Sequence, residues 1–228
     1  MTRAKAIFSY ISSVAISLLF SIPAHAQSTP PLPEESVDSV PFFNGFSVSV
    51  DLAGVIQRAV SDYGQYEAAL RINLRDRYFP VFEAGLGSAK HDDVVTLISY
   101  KSSAPYFRLG MDYNLLKDKH DIYRVYGGAR YAFTYFSYDL AHPDITDPIW
   151  KNQAPYGAKD VKCNCHWLEL SVGVDAKLWG PFHLGWSVRY RRRVFFDSGD
   201  YGSVWYVPGY GESGRTRIGG TFNLGIDI

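Results

Sequence analysis

Cysteine is almost missing from this chain. Only Cys163 and Cys165 occur in 228 residues. Two cysteines cannot build the disulfide framework of a small secreted scaffold, nor supply the four ligands of a closed zinc site. Net charge is missing too, with 23 basic residues against 23 acidic ones. That balance gives no reason to expect nucleic acid as a partner. Beyond the N-terminus there is no apolar run long enough for a spanning helix. His91, His120, His142, His166 and His183 are scattered, and none sits at a metal-ligand spacing such as H-E-x-x-H. No catalytic set stands out. The expectation is a non-enzymatic protein without a metal or cofactor.

What is present begins with an export signal. Arg3 and Lys5 precede an apolar run from Ala6 to Ile22, followed by Pro23 and Ala24-His25-Ala26. A charged start, a hydrophobic core and an Ala-x-Ala site describe a cleaved signal peptide over 1–26. Removing Arg3 and Lys5 leaves 21 basic against 23 acidic residues, or −2. Residues 27–43, with Pro30, Pro31, Pro33 and Pro41 among Ser and Glu, read as a disordered periplasmic lead-in.

From residue 44 to 228 the chain alternates apolar and polar residues in eight stretches. Examples are Phe46-Val48-Val50-Leu52, Tyr66 to Leu74, Tyr78 to Leu86 and Phe107 to Leu115. Val125 to Tyr135, Leu168 to Leu178, Phe182 to Tyr190 and Ile218 to Ile228 complete the set. Period two is the strand signature, and each stretch is about the 9–11 residues that a tilted strand needs to cross a bilayer. The connections alternate in length. Short ones fall at 75–77, 117–120 and 179–181, and long ones at 88–104, 139–165 and 197–214. Short inner turns and long external loops are the outer-membrane pattern. Without a spanning helix, a chain crosses a bilayer only as a closed barrel, because every backbone group must be paired within it. The expected fold is therefore all-β: an eight-stranded antiparallel up-and-down transmembrane β-barrel.

The polar faces carry the chemistry. Arg71, Arg108, Arg124, Arg130, Lys177, Arg189, Arg191, Arg193 and Arg217 point inward by parity. So do Asp51, Glu67, Glu83, Asp112, Glu169, Asp175 and Asp227. An eight-stranded barrel is only wide enough for side chains to fill, and buried charges must pair. The lumen ion-pair candidates are Arg71, Glu83, Arg108, Asp112, Arg130, Glu169, Asp175, Arg189, Arg191 and Arg193. Glu169 is expected opposite Arg191 or Arg193. Arg192 points outward, where it could meet lipid phosphate or simply snorkel. Trp205, Tyr206 and Tyr210, between glycines in the last long loop, either contact a partner or pack over the barrel mouth. The Cys163–Cys165 pair reads as a local disulfide or as two free thiols.

Trp167-Leu168-Glu169-Leu170, Trp179-x-x-Phe182, Gly185 to Arg191 and Trp205 to Gly211 carry a resemblance. The last third resembles an uncharacterised family of exported barrels from the Bacteroides group. The chain as a whole is similar to the small eight-stranded barrels of the OmpA and OmpX type. The resemblance implies a Gram-negative outer-membrane protein in contact with lipid, and it supplies no active site. The chain departs from many such barrels by ending in Gly225-Ile226-Asp227-Ile228 rather than in an aromatic residue. The functional expectation is a charge-plugged, non-enzymatic barrel that presents external loops to a protein partner or supports the envelope. A narrow ion channel and a soluble exported ligand-binding barrel are the alternatives.

Overall fold

Alternating side chains commit this chain to strands, and ladder pairing commits the strands to one sheet. The computed structural model describes residues 41–116, 123–146, 153–202 and 204–228. The expected signal peptide, nearly all of the lead-in, and the turn at 117–120 lie outside these residues. The elements are β1 (Phe43–Asp51), α1 (Leu52–Val60), β2 (Tyr63–Leu74), β3 (Tyr78–Asp92) and β4 (Ser99–Asn114). Then come β5 (Tyr123–Thr146), β6 (Gln153–Trp179), β7 (Phe182–Asp197), β8 (Tyr206–Val207), β9 (Gly211–Glu212) and β10 (Thr216–Asp227). Eight strands close an antiparallel barrel in the order β1-β10-β7-β6-β5-β4-β3-β2, while β8 and β9 form a separate two-stranded hairpin.

The short connections are true turns. Arg75 and Asp76 adopt φ of 56° and 53°, and Arg77 N donates to Leu74 O at 3.2 Å. Two successive left-handed residues at the centre of this three-residue connection match the twist of the flanking strands. The Asp76 carboxylate accepts from Asn44 Nδ2 at 2.9 Å, tying this turn to β1. Gly180 takes φ 56° between β6 and β7.

Three expectations need correction. First, the long connections at 88–104 and 139–165 are largely strand. Inward Tyr100, Ser102, Ala104 and Tyr106 keep the alternation going in β4. Phe136, Tyr138 and Leu140 do so in β5, and Val161, Cys163 and Cys165 in β6. These extensions pair with one another well beyond the level where β10 ends. Second, Leu52 is not a strand residue. Asp51 caps a helix, accepting from Ala53 N at 3.0 Å and Gly54 N at 3.2 Å. Leu52, Val55, Ile56, Ala59 and Val60 recur at i, i+3, i+4, i+7 and i+8, a helical rather than a strand period. Third, the segment 197–214 holds the β8–β9 hairpin, which turns into the barrel mouth.

The helix has an architectural consequence. β1 pairs with β10 only from Ser47↔Asp227 to Asp51↔Asn223, whereas β10 continues beside β7 up to Thr216↔Arg192. Above Asp51 the wall between β2 and β10 is made by α1, not by a strand. Gly54 lets the helix meet β2, since a Cβ there would lie 2.7 Å from Gln65 O. The freed edge of β10 is tied back where Phe222 N donates to Asp51 Oδ1 at 3.1 Å. Asp51 thus caps the helix and closes the seam. Asp51→Ala should lower stability by roughly 1–2 kcal/mol, the worth of a lost cap, with the seam bond lost as well. Urea unfolding in detergent micelles would measure it.

Candidate functional site: an ionic lumen beneath a hairpin

The two faces of the wall differ completely. On β6 and β7 the outward residues are apolar and open: Leu168 is 51% exposed, Leu170 61%, Val172 62% and Val188 61%. Their inward neighbours Glu169, Ser171, Asp175 and Arg189 are buried. The barrel's interior is ionic and its exterior apolar.

The interior charges form one connected network. At its lower end, towards the short turns, Asp175 receives His183 Nδ1 at 2.9 Å and Arg71 Nη1 at 3.0 Å. Arg71 Nη2 and Arg130 Nη2 share Asp112 Oδ2, at 3.1 and 3.0 Å. In the middle, Glu83 takes Arg130 Nε at 2.9 Å, Arg108 at 3.1 Å and both Nη atoms of Arg189 at 2.9 and 3.1 Å. The Arg189–Glu83 pair is bidentate, the geometry in which guanidinium and carboxylate match best. Glu67 closes the ring, touching Arg108 and accepting from Arg189 at 3.0 Å and from Tyr106 Oη at 2.6 Å.

At the upper end Glu169 stands opposite both Arg130 and Arg191. Arg191 Nε lies 3.2 Å and Arg108 Nε 2.9 Å from Glu169 Oε1. Their N–H groups are poorly aligned, so these contacts are ion pairs rather than hydrogen bonds. Trp167 Nε1 donates to the same oxygen at 2.6 Å. Rings back the guanidinium planes: Tyr106 lies 4.7 Å from Arg108 and Tyr126 4.9 Å from Arg71. Glycine supplies the room, since a Cβ at Gly128 would strike Asp112 and one at Gly85 would strike Tyr106.

The β8–β9 hairpin lies over this network. Arg108 Nη2 donates to Gly209 O at 2.8 Å, Arg191 Nη1 to Tyr210 O at 2.9 Å and Tyr100 Oη to Tyr206 O at 2.8 Å. Tyr206 is 1% exposed and Tyr210 0%. These two rings are therefore not outward contacts. Inward-pointing guanidinium groups need carbonyl acceptors where carboxylates run out, and the hairpin backbone provides them. Trp205 remains partly open, stacked on His91 at 4.3 Å.

Nine of the ten lumen candidates are members of the network. Arg193 is the exception. Its guanidinium lies 4.2 Å over the Phe196 ring and makes only a long contact to Ser213 Oγ, at 3.4 Å. Arg193 stands opposite Trp167, in unbroken register two residues above the Glu169–Arg191 pair, and the ladder bulges only beyond it, where His166 faces Phe195. Glu67, His183, Tyr106 and Trp167 are network members that belonged on the candidate set. Glu67 and His183 were legible from parity alone.

Below the network, among the short turns, is a cavity of about 490 Å³ lined by Ser47, Asn73, Phe79, Arg124, Lys177 and Asp227, among others. Among the described residues no cluster of His, Cys, Asp and Glu could hold a metal ion. Cys163 and Cys165 are both free and point inward, above the level of Leu168. Burial pushes their thiols up to about 11 and about 12. Neither is a thiolate at neutral pH. Maleimide at pH 7.5 should leave both unlabelled in the folded barrel and label both after denaturation.

Fold and lumen together define a class: closed eight-stranded antiparallel barrels with an ionic interior. The chain belongs to the family described as a domain of unknown function, DUF6048, whose profile matches residues 6–227. No curated protein matches it. Among solved structures it is similar to Ail, the attachment invasion locus protein of Yersinia pestis. The identity is 10% and the TM-score 0.39, over 80% of this chain and 97% of that one.

Removing one partner of a buried pair strands the other charge, at roughly 3–5 kcal/mol. Glu169→Gln should therefore lower the unfolding temperature in detergent clearly. The same loss of one charge at an exposed position, Lys101→Gln on the outer face of β4, should leave it unchanged.

Proposed function

We propose that this chain is an integral outer-membrane barrel whose lumen is closed by the ionic network and the β8–β9 hairpin. It works without catalysis, carrying its long external hairpins or strengthening the envelope. The observation that carries this reading is the inverted wall, apolar outside and charged within. In water, an exterior of Leu168, Leu170, Val172, Val188 and Ile218 would leave a continuous apolar patch far larger than a soluble monomer exposes. Against lipid the same face is stabilising, and inside, nine of the ten candidate charges are joined in one ionic network. This argues against a soluble ligand-binding barrel. Export through a cleaved signal, Gram-negative origin and the Bacteroides group rest on the sequence motifs.

The strands support an orientation. The stretch of β6 from Leu168 to Leu178 faces β7 along Arg192 to Phe182 and matches the height of β10. That is the length of a membrane-crossing strand. The β3–β4 and β5–β6 hairpins rise beyond it, and their tips are the surfaces for a partner. Val94 and Val95, 88% and 85% exposed at the β3–β4 tip, are the most open apolar residues there.

The cavity at the short-turn end is the one feature that favours a channel. It ends beneath the layer of Arg71, Asp112 and Asp175, where paired side chains fill the section. The expected outcome in a planar bilayer is no steady conductance. Extracted barrel should migrate faster on gels unboiled than boiled and should float with phosphatidylcholine vesicles. A cysteine placed at Val95 should be labelled on intact cells. Recovery in the soluble periplasmic fraction would overturn the membrane reading, and a steady open conductance would overturn the plug.

A further inference from the structure

Three inward charges stand below the ionic network: Arg124 on β5, Lys177 on β6 and Asp227 on β10. All three line the cavity of about 490 Å³ among the short turns. Arg124 is in register with Asp175, but both oxygens of Asp175 are already taken, by His183 and Arg71. The half-buried Arg124 guanidinium lies instead over the Phe79 ring, at 5.4 Å. Lys177 is exposed, two residues below Asp175 on the same face of β6 and in register with His183. Among the described residues, neither cation has a carboxylate within ion-pair distance.

The carboxylates of the cavity stand on other walls. Asp76, in the turn between β2 and β3, accepts from Asn44 and Asn73. Asp227, at the foot of β10, lies 3.6 Å from His183 Nε2, beyond hydrogen-bond range. In the barrel order β7 separates β10 from β6. Two strand spacings put those walls roughly 10 Å apart at the backbone, about the span of three extended residues. The cavity is therefore polarised, with two unspent cations on one side and a loosely held carboxylate on the other. It is also blind, because the layer of Arg71, Asp112 and Asp175 closes it above.

We propose that this cavity binds a short zwitterionic peptide by its two ends, the carboxylate on Arg124 and Lys177 and the ammonium on Asp227. The guanidinium fork of Arg124 matches a carboxylate with two parallel N–H···O bonds. Ser47, in register with Asp227, offers a hydroxyl to the peptide unit between the ends. A ligand of one charge would satisfy one wall and leave the other unmet. The site needs no bilayer, so it stands apart from the membrane reading.

Isothermal titration of the full mature chain in maltoside micelles tests it, at low ionic strength, where exposed charges are screened least. The probe is triglycine, with acetyl-triglycine lacking the ammonium and triglycine amide lacking the carboxylate. Wild type should bind triglycine at least about tenfold more tightly than either control, the worth of one charge-assisted contact. Lys177→Gln alters an exposed side chain without a carboxylate partner, so the barrel should fold as before. It should weaken triglycine several-fold and leave triglycine amide unchanged. Arg124→Gln/Lys177→Gln should erase the preference over triglycine amide, and Asp227→Asn the preference over acetyl-triglycine. Equal affinity for all three peptides would overturn the proposal, as would no triglycine binding in the millimolar range or undiminished binding by Lys177→Gln. Acetyl-triglycine bound as tightly as triglycine would make the cavity a plain anion site and overturn the zwitterion.

Discussion

Everything in this barrel depends on satisfying charge in a space too narrow for bulk water. An eight-stranded wall leaves room only for side chains. Once Arg108, Arg130 and Arg189 point into it, Glu67, Glu83 and Glu169 must point at them. A single unpaired member would cost more than a good contact elsewhere returns. The network is therefore a constraint on the whole wall. It sets which residue of each strand faces inward, and a slip of one residue in any register would send a charge outside. Glycines at 85 and 128 belong to the same constraint, because the long side chains cross the lumen where a neighbouring Cβ would stand.

The hairpin of β8 and β9 is a consequence of the same shortage. Arg108 and Arg191 have more N–H groups than the nearby carboxylates can accept. Gly209 O and Tyr210 O take the remainder, and the apolar bodies of Tyr206, Val207 and Tyr210 fill the mouth beside Trp167 and Tyr106. A loop rich in aromatics between glycines thereby becomes an internal lid. The glycine at 209 is required twice, for its φ of 77° and because a side chain there would collide with the Tyr106 ring. At the neighbouring rim carboxylates thin out: Glu169 serves Arg191, Glu212 serves Arg217, and Arg193 leans on the Phe196 ring instead.

The seam shows a different economy. A strand that ended at Asp51 would leave β10 with an open edge of unpaired N–H and C=O groups. The helix covers that gap with its apolar stripe outward. One carboxylate serves both the helix start and the β10 edge.

Much of this was legible in the residues themselves. Period two identified the strands and their faces, since Phe46, Leu70, Leu109, Leu168 and Val188 all point outward as parity requires. The short turns were readable from their length, and counting along β6 and β7 narrowed the partner of Glu169 to Arg191 or Arg193, of which the ladder selects Arg191. The helix over 52–60 was also written in the chain, but its first apolar residue continues the strand alternation, so the change of period falls on an ambiguous position. Tertiary structure alone decided the rest. Strand extension into the upper hairpins depends on partners far apart in sequence. That Arg193 leans on the Phe196 ring rather than joining the network is invisible to parity. Whether Tyr206 and Tyr210 face out or in depends on the unspent hydrogen bonds of arginines more than a hundred and about twenty residues away in the chain. Sequence determines which side chains share a face, because alternation is a property of the strand itself. Which charges meet across the lumen is a property of closure, and only the closed barrel sets it.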